Sequence, residues 1–228
     1  MNKKLKIGIT GVNHLSGNRG VGALALSTFY LLKKAADEAG REVSITAIGP
    51  NFGQSKLDIG GQSIEVSNIM ATSVFSLKNI LRLCTNPKLL LSFKKYLKLD
   101  AILCMGEGDS FSDIYGKIRF NSINDQHKMA RLFRKSYMLL PQTIGPFKDK
   151  RIATKAKRSI EKSRLVLVRD RLSFNYVKAH TKQQNLKEMI DVAFFMPFVK
   201  KEFKNGKINV GFNISSLLWH GGYTKNNQ

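Results

Sequence analysis

The residues able to do chemistry gather in four short polar turns. The first, residues 11–20, holds three glycines with Asn13, His14, Ser16 and Asn18. The second runs Gly106-Glu107-Gly108-Asp109-Ser110, the third Pro141-Gln142-Thr143-Ile144-Gly145-Pro146-Phe147, and the fourth is the pair Arg169-Asp170. Asp109 is a candidate general base. Asp113 could orient a hydroxyl, but capping a turn or helix is the better reading of it. His14 suits an acid, a base or a phosphate contact, with plain polar surface as the alternative. Arg169 can hold two oxygens of an anion with its fork of donors, or form a structural ion pair with Asp170 or Asp191. The helix start after Asn18 and Gly20 offers backbone amides and a dipole to an anion. Its loop is neither G-x-G-x-x-G nor a Walker loop, so it names no nucleotide. A turn needing glycine only for its backbone angles is the competing reading.

Each turn is positioned by a strand before it and a helix after it. Residues 6–10 (KIGIT) form a short β-branched run that suits a central strand, and from Val21 the apolar spacing turns helical. Strands are also predicted over 41–48, 62–68, 100–105, 136–140, 164–168 and 189–195. Helices are predicted over 76–97 with a break before Pro87, over 124–135, over 149–163, and over 171–180 with Asp170 as N-cap. Residues 56–61 end in two glycines and read as a loop. Strands alternating with helices predict an α/β fold with a mostly parallel, Rossmann-like sheet flanked by helices. In such sheets ligands sit beyond the strand C-termini, so the four polar turns are expected to converge on one rim. A domain is expected over 1–198, a charged linker over 199–207, and the start of an incomplete second domain over 208–228, opening with a strand over 208–214.

Composition narrows the partners. Hydrophobic residues make up 43% of the 228, enough for a buried core. No apolar run is long enough to span a bilayer, and no signal peptide is legible. Cys84 and Cys104 are too few for a metal site or a disulfide framework, which points to the cytoplasm. Lys and Arg number 38 against 16 Asp and Glu, a net charge of +22 that favours anionic lipid or phosphorylated ligands. Residues 78–98 carry six basic residues and no acidic one. No nucleic-acid-reading signature accompanies this charge, so no specific nucleic acid is expected.

Five segments resemble the polysaccharide pyruvyl transferase family: SGNRGVGALAL from Ser16, MGEGDSFSDIYG from Met105, PQTIGPF from Pro141, VRDRLSFNYV from Val168 and IDVAF from Ile190. They follow the family's order and are spread over nearly all of residues 1–200. The resemblance implies transfer of pyruvate from phosphoenolpyruvate to two hydroxyls of a sugar, as a ketal on a cell-surface polysaccharide. It implies two Rossmann-type domains facing across a cleft, as in GT-B glycosyltransferases, of which this chain holds the N-terminal half. By motif match the Asn18 loop, Gly108, Asp109 and Gln142 would line the cleft, with Arg169 reaching the donor's phosphate or carboxylate. Gly20, Gly106, Glu107, Gly145 and Asp170, in the same segments, are further substrate-binding candidates. Asp109 is the catalytic candidate among these segments, and His14, outside them, is a second one from its place at a strand end.

Two departures stand out. Gly106-Glu107-Gly108 replaces the family's run of glycines, and its carboxylate would either repel an anionic donor or serve an acceptor hydroxyl. The Arg-Leu-His motif of the family's second domain does not occur in this sequence. The expectation is a cytoplasmic enzyme of capsule or exopolysaccharide assembly, needing no cofactor beyond phosphoenolpyruvate as donor substrate. Its acceptor would be a glycan or lipid-linked oligosaccharide at the inner face of the plasma membrane, with an anionic membrane surface as a further partner. Activity of the 228-residue form would hang on the second half of the cleft. A nucleotide-sugar glycosyltransferase and a non-catalytic, polyanion-binding remnant are the rival readings.

Overall fold

The computed structural model describes residues 4–106, 111–200, 206, 208 and 210–212. The chain divides into two compact units, Met1–Pro197 and Phe198–Gln228. In the first, strands β1 (Leu5–Thr10), β2 (Val43–Gly49), β3 (Gly53–Ile59), β4 (Gln62–Met70), β5 (Ala101–Cys104), β6 (Ser136–Gln142), β7 (Leu165–Val168) and β8 (Leu186–Glu188) make one sheet. Its order is β3-β4-β2-β1-β5-β6-β7-β8. All neighbours are parallel except β3, which runs antiparallel along β4.

Helices α1 (Arg19–Glu38), α2 (Leu77–Thr85), α3 (Pro87–Leu97), α4 (Gly116–Leu132), α5 (Lys150–Glu161) and α6 (Arg171–His180) flank the sheet. Two apolar cores form. Ile7, Ile9, Phe29, Ile45 and Val66 build one, and Ile102, Cys104, Phe120, Leu139, Ile160 and Val166 build the other. Helices on both faces suit the continuous apolar runs of β5 (AILC) and β7 (LVLV). No helix among the described residues is long and apolar enough to cross a membrane.

Local signals set several boundaries. Asp170 caps α6 by accepting from Ser173 N, Asp149 caps α5 from Arg151 N and Ile152 N, and Ser76 caps α2 from Asn79 N. Asn86 and Pro87 separate α2 from α3 because proline is favoured at a helix's first position.

Three expectations are corrected. Residues 56–61 are not a loop. They lie largely in β3, which pairs with β4 through a two-residue Gly60-Gly61 turn. Leu57 and Ile59 alternate with Lys56 and Asp58, the pattern of a half-buried edge strand. Residues 189–195 are not a strand either. Val192–Phe195 is a short 3-10 helix whose cap, Asp191, accepts from Ala193 N, while the edge strand is β8. In the second unit, residues 208 and 210–212 of the strand expected over 208–214 lie in no strand, and the rest of that stretch falls outside the described residues.

Candidate functional site

The polar turns follow β1, β5, β6 and β7. These strands are adjacent and parallel, so all four turns leave the same edge of the sheet. Between β1 and β5 the winding reverses, since β2 and β4 lie on one side of β1 and β5 to β8 on the other. A crevice opens at such a switch point. Here it is a cavity of about 430 Å³ with walls from Thr10 at the end of β1, Gly11 and Asn13 after it, Ile48 and Gly49 of β2, Met70 of β4, Cys104 at the end of β5 and Gly106 after it. Helix α4 closes it with Arg119, Ser122, Ile123, Gln126 and His127.

Two features define its chemistry. Asn13 Oδ1 accepts from Asn51 Nδ2 at 2.9 Å, joining the β1 turn to the residues after β2. His127 is 1% exposed and lies edge-on to Phe111 and stacked on Tyr137, with a buried Nδ1 that has no partner among the described residues. Burial, helped by the nearby Arg131 charge, pushes its pKa down to about 3. The imidazole is therefore neutral at ordinary pH. With Asn13, Ser122 and Gln126 it gives the crevice several uncharged hydrogen-bonding groups beside apolar Ile48, Met70 and Ile123.

The residues expected from sequence divide among several roles. Asn18 is exposed and caps α1: its Oδ1 accepts from Gly20 N at 2.9 Å and Val21 N at 3.3 Å. Those two amides are thus occupied within the chain. His14 lies outside the crevice lining, edge-on to Phe29, with Nε2 3.1 Å from Ser55 Oγ. Its Nδ1 is buried without a partner among the described residues, and burial lowers its pKa. Glu107, Gly108 and Asp109 lie outside the described residues. Gly106 lines the crevice at φ +75°, and a Cβ there would stand 2.9 Å from Gln142 Oε1. Gln142 is buried and donates from Nε2 to the carbonyls of Cys104 and Leu140, both at 3.2 Å, while its Oε1 has no partner among the described residues. Gly145, at φ +71°, lies so close under Tyr176 that a Cβ would meet the ring at 2.7 Å.

Arg169 and Asp170 grip one hydroxyl. Thr143 Oγ1 accepts from Arg169 Nε at 3.1 Å and donates to Asp170 Oδ2 at 2.9 Å. Arg169 Nη1 also pairs with Asp191 Oδ2 at 3.0 Å, both side chains being less than a third exposed. Burial alone would raise the Asp170 carboxyl. Hydrogen bonds from Ser173 and Thr143, with the Arg169 charge, bring it below the ordinary value instead. Asp113 accepts from the amides of Lys148 and Asp149, tying its loop to the segment before α5, while the cap of α5 is Asp149 itself.

The sequence singled out neither the α4 face nor the role of Thr143, whereas Asp191 is one of the two partners read for Arg169. Ser122 with Gln126, and Ile123 with His127, repeat at four-residue spacing, so they share a helix face. That signal was present, but nothing local distinguishes a crevice-facing stripe from a core-facing one. Among the described residues no cluster of His, Cys, Asp or Glu could hold a metal ion.

A family model described as polysaccharide pyruvyl transferase matches residues 21–227. The match begins after the Asn18 turn and takes in α4, Gln142 and the Arg169-Asp170 pair. No curated protein matches the chain.

Proposed function

We propose, from the premise that the chain belongs to the polysaccharide pyruvyl transferase family, that it moves pyruvate from phosphoenolpyruvate onto a sugar and that the switch-point crevice receives that sugar. The observation that carries this reading is the crevice lining. About 430 Å³ of space, with uncharged hydrogen-bonding groups from Asn13, Ser122, Gln126 and His127 and the Arg119 guanidinium beside Ile48, Met70 and Ile123, suits a sugar's hydroxyls and its apolar ring face.

In the reaction the bond between C2 of the donor and its phosphate oxygen breaks, and two sugar oxygens bond to C2. Of the two hydroxyl protons, one goes to C3 and the other leaves with the phosphate. Arg169 is the candidate donor contact from this side. Its pairing with Asp191 means that the donor would compete with that carboxylate. Asp109 is the candidate base for one hydroxyl. His14, its pKa lowered by burial, fits a base better than an acid.

The test is to incubate the protein with phosphoenolpyruvate and a bacterial polysaccharide, following phosphate release and the methyl proton signal of the ketal. Phosphate and ketal appearing together support the reading. Thermal stabilisation by a nucleoside diphosphate, with no response to phosphoenolpyruvate, would replace it with a glycosyltransferase.

A further inference from the structure

The helical hairpin α2–α3 carries its apolar side outward. In α2 the residues Leu77, Ile80, Leu81 and Cys84 follow helical spacing and form one stripe, yet no residue of this helix is buried. Leu77 is 73% and Leu81 57% exposed. In α3, Leu89, Ser92 and Tyr96 turn to the core while Leu90 and Leu91 stay exposed. Isolated exposed leucines need no explanation, but a run of them along two consecutive helices does.

Charge narrows what can approach this hairpin, although Arg82 turns to the hollow behind α2 and Lys95 and Lys98 line another with Lys4 and Lys33. Between Ala71 and Leu99 there are six basic residues, Lys78, Arg82, Lys88, Lys94, Lys95 and Lys98, and no acidic one. A second copy seated on the same side would set like charges against each other. A neutral apolar partner would leave them unbalanced. A bilayer containing anionic lipid takes apolar side chains at its boundary and basic ones at its headgroups.

Position adds a second argument. A hollow of about 300 Å³ beside α2, lined in part by Asn79, Arg82 and Leu83, shares Met70, Ala71, Ser122 and Gln126 with the switch-point crevice. Helix α2 therefore stands beside the crevice, with Asn79, Arg82 and Leu83 toward the hollow and the exposed apolar stripe on its opposite face.

We propose that the α2–α3 hairpin is a peripheral docking surface for anionic membrane lipid, holding the crevice opening near the bilayer. The docking stands on the hairpin alone. Its use, delivery of a lipid-linked acceptor, rests on the reading of the crevice given above.

The test is co-sedimentation of the full chain with phosphatidylcholine vesicles, with and without phosphatidylglycerol. Binding should require phosphatidylglycerol. Leu77→Ser/Leu81→Ser and Lys88→Glu/Lys94→Glu should each weaken it roughly tenfold or more. The same charge change on α5, Lys150→Glu/Lys155→Glu, should change it less than about twofold. The exposed leucines can be replaced without unfolding, which an unchanged melting temperature verifies. Equal binding to neutral vesicles, or equal losses in the α5 and α3 charge variants, overturns the proposal. So does a dimer that the leucine variant splits while its vesicle binding is untouched, since the hairpin would then be a contact between copies. A chain that docks as described yet turns over no phosphoenolpyruvate leaves the docking intact and removes the transferase reading.

Discussion

Gly106 and Gln142 compete for the same space at the ends of β5 and β6. A Cβ on Gly106 would stand 2.9 Å from Gln142 Oε1, and the residue sits at φ +75°. Below that contact, Gln142 Nε2 joins the carbonyls of Cys104 and Leu140 and so ties the two strands together where the crevice opens. The glycine is thus required twice, for its backbone angle and for the amide packed against it.

Gly106→Ala is expected to lower stability by about 2–3 kcal/mol, from the left-handed angle together with the displaced amide. Urea denaturation measures this. Gly106→Ala/Gln142→Ala should cost less than the sum of the two single changes, since both act on one contact. Strict additivity would mean that the two residues do not compete.

The Arg169–Asp191 pair separates a structural arginine from a donor-binding one. Arg169→Ala should cost about 1–2 kcal/mol, between the ranges for exposed and buried ion pairs. If Arg169 holds the donor, Asp191→Asn frees it, and the KM for phosphoenolpyruvate falls while Arg169→Ala raises it. A purely structural pair would give two destabilised proteins with unchanged KM.

His127 predicts a specific acid sensitivity. Its value in the folded protein, about 3, lies below the ordinary 6.5. Between those limits the unfolded chain binds a proton that the folded chain excludes. The contribution is fully present above about pH 6.5 and is lost as pH falls toward 3, with a slope of up to ~1.4 kcal/mol per pH unit. In His127→Phe a plot of unfolding free energy against pH should be flatter across that window. An identical slope in the variant would assign the acid sensitivity to other groups. The same variant should raise the KM for the acceptor, because it removes a polar group from the crevice.

Gly145 and Tyr176 make a second close contact. Gly145→Ala sets a Cβ 2.7 Å from the ring at φ +71°, for an expected loss of about 2–4 kcal/mol. Adding Tyr176→Ala should return part of that loss, leaving the cost of the backbone angle. No recovery at all would put the whole cost in the backbone.

What the sequence determined is what acts within a few residues. Asp170, Asp149 and Ser76 cap the helices they precede, and Pro87 divides α2 from α3, because a cap needs only its own next turn of amides. Alternation of strands and helices was enough for an α/β sheet with polar turns at one edge, since βαβ units have one hand. Residues 56–61 carried a local signal, since Leu57 and Ile59 alternate with polar neighbours before a two-residue Gly60-Gly61 hairpin turn, but a glycine pair reads equally well as a loop. Residues 189–195 escaped for a non-local reason, because the apolar run around Val192 curls into a 3-10 turn packed near α1.

The site belongs to tertiary structure. Gly106 meets Gln142, Arg169 meets Asp191, and Asn13 lines the same crevice as His127 only because the strand order brings distant segments together. Periodicity identifies an apolar stripe on a helix but does not say what it faces. His127 on α4 turned out to line a crevice, and Leu77 and Leu81 on α2 to face outward, because the packing of the whole sheet decides which stripes it covers.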